Sequence, residues 1–192
     1  MRQGQGKLRG RGASSLPGVW LMTDERVAEA DLLRAVARLP RGAAVLVRHY
    51  GLEASARRRL FDAIRRIARG RGVLTLLAGD AAQARAWGAD GHHGRGTRRA
   101  AGLRSAPAHD AAEMRAAARA GVDVILLSPL FATRSHPGAR PLGVVRFAAL
   151  ARLSPVPVIA LGGVRPRHAG LVRRLGASGY AAIDGLVRAR RG

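Results

Sequence analysis

Residues 156–163 read VPVIALGG, a short apolar run that ends in two glycines. A near-continuous apolar run of this length is what a parallel strand covered on both faces looks like. What decides the fold is its place in the chain. In an open doubly wound sheet, the glycine-rich phosphate turn follows the first strand. Here the first apolar run, 18–23 (GVWLMT), is followed by Asp24, Glu25 and Arg26 instead, and the paired glycines come late. In a (β/α)₈ barrel, phosphate commonly sits after the seventh and eighth strands.

Counting outward from 156–161 makes it the seventh of eight strand candidates. The others are 18–23, 43–48 (AAVLVR), 73–77 (VLTLL), 89–92 (ADGH), 102–106 (GLRSA), 122–128 (VDVILLS) and 178–183 (SGYAAI). Helical composition fills 25–38, 53–69, 109–120 and 165–175, whereas the fourth connection, 94–101 (GRGTRRAA), reads as a loop. Eight alternations in one chain of this size predict an α/β fold, a single (β/α)₈ TIM barrel with a parallel sheet. Residues 1–15 (MRQGQGKLRGRGASS) have no periodicity and read as a flexible, basic Gly/Arg-rich tail, which leaves 16–192 for the barrel.

Composition agrees with one packed domain. Hydrophobic residues are 47% of the 192 and aromatics 4%, so the core must be built from Ala, Val, Leu and Ile. The absence of cysteine excludes disulfides, thiolate metal sites and a cysteine nucleophile. No apolar run approaches the roughly 20 residues needed to span a bilayer, and the N-terminus has no secretory apolar segment. A cytoplasmic location is expected. The net charge is +22, and every basic residue but Lys7 is an arginine. That balance favours anionic partners. The arginines are spread over most helical segments, however, and no stacking platform or nucleic-acid motif accompanies them. They read as solvated helix faces, and nucleic acid is not the expected partner.

Polar residues just beyond the C-terminal ends of barrel strands point into the working site. His49 follows the second strand, His92 and His93 end the fourth, His109 follows the fifth, and His136 lies beyond the sixth; only His168 falls in a helix. This suggests a histidine-bearing rim suited to proton transfer near neutral pH. Arg48 adds a cation at the end of the second strand. The loop 128–143 (SPLFATRSHPGARPLG) carries Thr133, Arg134, Ser135 and His136 between stiffening prolines, as a segment folding over a phosphorylated ligand would. Gly162 and Gly163, with Ala182 and Ile183 on the eighth strand, offer backbone N–H groups to an anion. Taken alone, the glycine pair reads equally well as a tight turn.

Five segments, taken together, resemble the thiamine phosphate synthase/TenI family: LMTD at 21–24, GADG at 88–91, PAH at 107–109, the 128–143 loop and VIALGGV at 158–164. The resemblance runs over about residues 17–187. It implies a (β/α)₈ barrel, a homo-oligomer, acting in thiamine biosynthesis on a phosphorylated thiazole. The family's synthases join an aminopyrimidine diphosphate to a thiazole phosphate, with Mg²⁺ on the leaving diphosphate. Against that pattern the chain departs at the metal and diphosphate positions. Tyr50 stands for a lysine, Ala78 and Gly79 for an Asn-Asp pair with Asp80 one place off, and the run Gly94–Arg99 for a second carboxylate. Pro107 replaces a serine, His136 a lysine, and Asp184 a small polar residue beside the phosphate. Thr133, Ser135, Gly162 and Gly163 match.

The resemblance therefore leads to a TenI-like thiazole tautomerase without cofactor. His109, aided by His136, would move the proton, and Arg48, Thr133, Arg134, Ser135, Gly162, Gly163 and Ile183 would hold the substrate and its phosphate. The alternative is a synthase with a rearranged Mg²⁺ site, using Asp80, Asp24 and the abundant arginines on the diphosphate. A third reading, supported by the basic tail and Asp184, is an inactive barrel that binds a thiamine-related ligand or nucleic acid.

Overall fold

A computed structural model of the protein describes residues 16–96, 102–133, 138 and 140–187. The expected basic tail lies outside these residues, as do Arg134, Ser135 and His136. Eight strands close into a barrel in sequence order: β1 (Val19–Met22), β2 (Ala44–Val47), β3 (Leu74–Ala78), β4 (Gly91–His93), β5 (Leu103–Ala108), β6 (Val124–Leu127), β7 (Val158–Ala160) and β8 (Gly179–Ala182). Every pairing is parallel, and β1 closes the ring by pairing with both β2 and β8. The eight apolar runs of the sequence are these eight strands.

The helices are α1 (Glu29–Arg38), α2 (Ala54–Arg71), α3 (Ala81–Ala86), α4 (Ala111–Arg119), α5 (Gly143–Arg152), α6 (Ala169–Arg174) and α7 (Asp184–Val187). The helix expected over 25–38 starts only at Glu29, because Asp24 holds the preceding turn by accepting hydrogen bonds from the backbone N–H and Nε of Arg26. The one expected over 165–175 is broken: Pro166–His168 form a 3₁₀ turn before α6, with Pro166 at its first position. His168 therefore ends a tight turn. The fourth connection has no helix over residues 94–96, and 97–101 lie outside the described residues. Among the described residues, no helix is long and apolar enough to cross a membrane.

Strand alternation divides the core into layers. Trp20, Met22, Ala44, Leu46, Leu76, Ala78, Val124, Leu126, Ile159 and Ala181 fill the barrel interior. Two outer layers lie between strands and helices, one under α1 and α2 around Phe61 and Ile64, the other under α4 to α6 around Phe147 and Val172. Trp20 is the one large aromatic inside the barrel, and its Nε1–H donates to the Pro17 carbonyl at 2.6 Å.

Acidic residues ahead of strands steady the N-terminal side. The Asp90 carboxylate accepts from the Thr75 N–H at 2.8 Å, and that of Asp123 from the Arg104 N–H at 2.7 Å. Arg104 lies on the outer side of β5 and is buried. Its guanidinium donates to the carbonyls of Ala120 and Gly121, both at 2.8 Å, which satisfies the open end of α4.

Candidate active site

A cleft of about 230 Å³ opens at the C-terminal ends of the strands. Met22, Arg48, His109, Ser128 and Thr133 line one part, and Gly162, Gly163, Arg165 and the backbone of Ala182–Gly185 the other. Of the expected site residues, Arg48, His109, Thr133, Gly162, Gly163 and Ile183 thus share one cavity.

The glycine turn has a steric cause. Gly162 and Gly163 have φ of 91° and 64°, in the left-handed region that glycine adopts readily. A Cβ on Gly162 would come within 2.6 Å of Pro129 Cα. The turn is tied to the sixth-strand loop, where the N–H groups of Leu130 and Phe131 donate to the carbonyls of Leu161 and Gly162 at 2.8 and 3.0 Å. The loop itself begins with a cis peptide between Ser128 and Pro129. Arg165 brings a guanidinium to this end of the cleft and Asp184 a carboxylate, so the charge there is mixed.

Arg48 reaches the rim already engaged. Its Nε donates to the Thr23 carbonyl at 2.9 Å, and its guanidinium meets Asp24 Oδ2 at 3.0 Å. Asp24 also pairs with Arg26, whose hydrogen bond, against the opposing effect of burial, holds the carboxyl below its ordinary range. Asp24 is therefore held ionised and orients Arg48.

The histidines divide. His109 begins the α4 connection, half exposed, with Nδ1 2.7 Å from Glu113 Oε2. The same Glu113 oxygen accepts the His109 backbone N–H at 2.8 Å, while Oε1 accepts from Arg95 at 2.7 Å. Sequence reasoning passed over Glu113. Its signal was the His-x-x-x-Glu spacing, which puts two side chains on neighbouring turns, together with Asp110-x-x-Glu113 as a helix start.

The expectation of a histidine rim is corrected at His49, His92 and His93, all of which are buried. His93 shares the barrel-interior face with Ala78 and Ser105 by register, and its Nδ1 lies 2.9 Å from Ser105 Oγ. Burial pushes it down to about 4. His92, next in the strand, faces the helix layer and is also lowered by burial. His49 sits with Nδ1 2.9 Å from Thr23 Oγ1 and is lowered by burial as well. Burial is the largest cause at all three and favours the neutral ring, and nearby charges add to it, Arg48 lowering His49 and His93 and Arg104 lowering His92. His168 packs edge-on against Phe131, and its Nδ1 accepts the Arg165 backbone N–H at 3.2 Å.

The fold and this cleft define the class: a small (β/α)₈ barrel whose cleft at the C-terminal strand ends is lined by a paired-glycine turn, two arginines and a histidine. The TMP-TENI family model, described as thiamine monophosphate synthase, matches residues 19–186. The chain belongs to that thiamine-biosynthesis family, whose members bind phosphorylated small molecules. It is 31% identical over 188 residues to a thiamine-phosphate synthase of Roseiflexus castenholzii, covering 89% of this chain and 81% of that one. A thiamine-phosphate synthase of Chloroflexus aurantiacus is 35% identical over 83 residues, but that match covers only 43% of this chain and 38% of the relative. In fold it is similar to a thiamine phosphate pyrophosphorylase from Pyrococcus furiosus, with a TM-score of 0.76 at 20% identity over 92% of this chain and 89% of that one.

Proposed function

We propose that the cleft binds a thiazole phosphate, with the phosphate at the Gly162–Gly163 turn and the Arg165 guanidinium, and the ring toward His109 and Met22. What supports this is the convergence of the glycine turn, Arg165 and His109 on one cavity in a chain of this family. Two reactions are open to such a ligand, and different observations favour them.

The first reading is synthase chemistry, favoured by the relatives, which bear the name thiamine-phosphate synthase over as much as 89% of this chain. The thiazole nitrogen forms a bond to the pyrimidine methylene while the carbon–oxygen bond to diphosphate breaks. In the family, Mg²⁺ neutralises the departing diphosphate. The described residues fit that ion poorly. Asp80 caps α3, with Oδ1 accepting from the Ala82 N–H at 3.1 Å. Arg95, a cation, stands in the run where the second carboxylate is expected, and no group of three or more His, Asp or Glu is gathered for a metal among the described residues. A synthase of this kind would neutralise diphosphate with arginine, which presents several donors in a rigid fork.

The second reading is the tautomerase, favoured by one specific observation: His109 lines the cleft and Glu113 pairs with its ring from outside the cleft lining. His109 Nε2 takes a proton from the substrate ring and returns it at a second ring position, so no group is gained or lost. Proton transfer of this kind needs one oriented base and no metal.

One experiment separates them. Aminopyrimidine diphosphate and thiazole phosphate are incubated with the protein, with and without Mg²⁺, and thiamine phosphate is read after oxidation to a fluorescent product. Turnover establishes the first reading, and its Mg²⁺ dependence tests the arginine substitution. Absence of turnover beside an active control synthase, with conversion of the thiazole carboxylate tautomer, establishes the second.

A further inference from the structure

Beyond the cleft itself, the structure shows how its histidine is held. We propose that Glu113 is a positioning residue that fixes His109 as the Nδ1–H tautomer and turns Nε2 to the substrate, with Arg95 holding Glu113 in place. The inference rests on the reading that the cleft lined by His109 takes the substrate.

The geometry leaves one assignment. An ionised carboxylate has no proton to donate, so the 2.7 Å contact between Glu113 Oε2 and Nδ1 requires the hydrogen on Nδ1. Neutral imidazole carries one N–H, so Nε2 is then the lone-pair nitrogen. Glu113 is kept ionised: burial works to raise it, but hydrogen bonds from the His109 ring and backbone and the nearby Arg95 charge outweigh that and lower it. The carboxylate is also immobilised from three directions. Oε2 accepts the His109 N–H, Oε1 accepts from Arg95, and the Glu113 backbone is pinned by Asp110 Oδ1, which accepts its N–H at 2.8 Å.

A role confined to stability explains less. An exposed ion pair contributes little to folding, and capping α4 is already done by Asp110. Neither calls for a contact from the Glu113 carboxylate to the ring. A carboxylate behind an imidazole is, by contrast, the usual means of selecting its tautomer and orientation. Arg95 comes from the end of β4, so the arrangement spans two strand ends and holds the ring against rotation.

The test begins with the substrate-free full-length protein, so it does not depend on which reaction the cleft performs. Histidine ¹⁵N signals are assigned at about pH 9, where imidazoles are neutral. His109 is expected to show a protonated Nδ1 and an unprotonated Nε2. Glu113→Leu should convert this to a mixture of tautomers, while Glu113→Gln, whose amide oxygen still accepts, should restore the Nδ1–H pattern. In whichever reaction is detected, Glu113→Leu should lower kcat at least about tenfold with KM little changed, and Glu113→Gln should recover part of the loss. A wild-type His109 carrying its proton on Nε2 overturns the proposal, and that result needs no variant to fold. An unchanged tautomer in Glu113→Leu overturns it equally. If the tautomer behaves as expected while neither reaction occurs, the positioning stands and the assigned function falls.

Discussion

His93 Nδ1 lies 2.9 Å from Ser105 Oγ on the interior face of the barrel, and both residues are buried. Adjacent strands bring the two together, β4 with β5, in direct register. Burial, with Arg48 and His92 nearby, pushes the His93 imidazole down from its ordinary 6.5 to about 4.

A pH effect on stability follows from that depression. As pH falls below 6.5 the unfolded chain takes up a proton on His93, while the folded chain resists until about 4. Stability is therefore full above 6.5 and is lost as pH falls through that window, by on the order of 3 kcal/mol at its lower end. His49 and His92 are lowered by burial too and act in the same direction. Urea unfolding of wild type and His93→Asn from pH 7.5 to 4.5 should show a shallower decline in the variant. Parallel curves would mean that His93 takes up its proton in the fold as readily as in the unfolded chain.

His109→Ala is expected to remove about 10²–10⁴-fold of kcat in the proton-transfer reaction. Stability should change by less than about 1 kcal/mol, because the lost contact is a half-exposed pair. Steady-state kinetics with the thiazole carboxylate tautomer, beside thermal unfolding, checks both. Full retained activity would remove His109 from the mechanism.

Gly162→Ala should both destabilise and weaken anion binding. The added methyl meets Pro129 at 2.6 Å and the backbone has a φ of 91°, so the cost is about 2–4 kcal/mol. Calorimetric titration with inorganic phosphate should show wild-type binding that is unaltered by chelators and at least about tenfold weaker binding by the variant. Chelator-sensitive binding would point to a cation among the phosphate's partners.

Arg104→Met should cost about 1–2 kcal/mol with no effect on the cleft. It strips two short hydrogen bonds from the carbonyls of Ala120, half-buried, and Gly121, exposed, at the end of α4. Chemical denaturation and phosphate titration together test this. A variant as stable as wild type would show that water replaces the guanidinium.

Much of this was legible in the sequence for physical reasons. The eight apolar runs could be read because a strand buried on both faces has to be apolar throughout. The glycine pair could be read because its place after the seventh run matches where barrels hold anions. His109 stood out because it directly follows a strand.

Other features were hidden. His92 and His93 looked alike, yet strand alternation sends one toward the helices and the other into the barrel, and only closure of the sheet buries both. Arg48 looked like a free cation until Asp24 of the neighbouring strand end engaged it. Glu113 acquired its role from His109 four residues away and from Arg95 on another strand end.

The sequence by itself determined the barrel, its strand order and the residue types at its rim, because local hydrophobic pattern and chain order carry that information. Only the tertiary structure decided which histidine faces the cleft, which are silenced by burial and which arginines are already paired. Those outcomes depend on distances between segments far apart in the chain, and a linear pattern does not contain them.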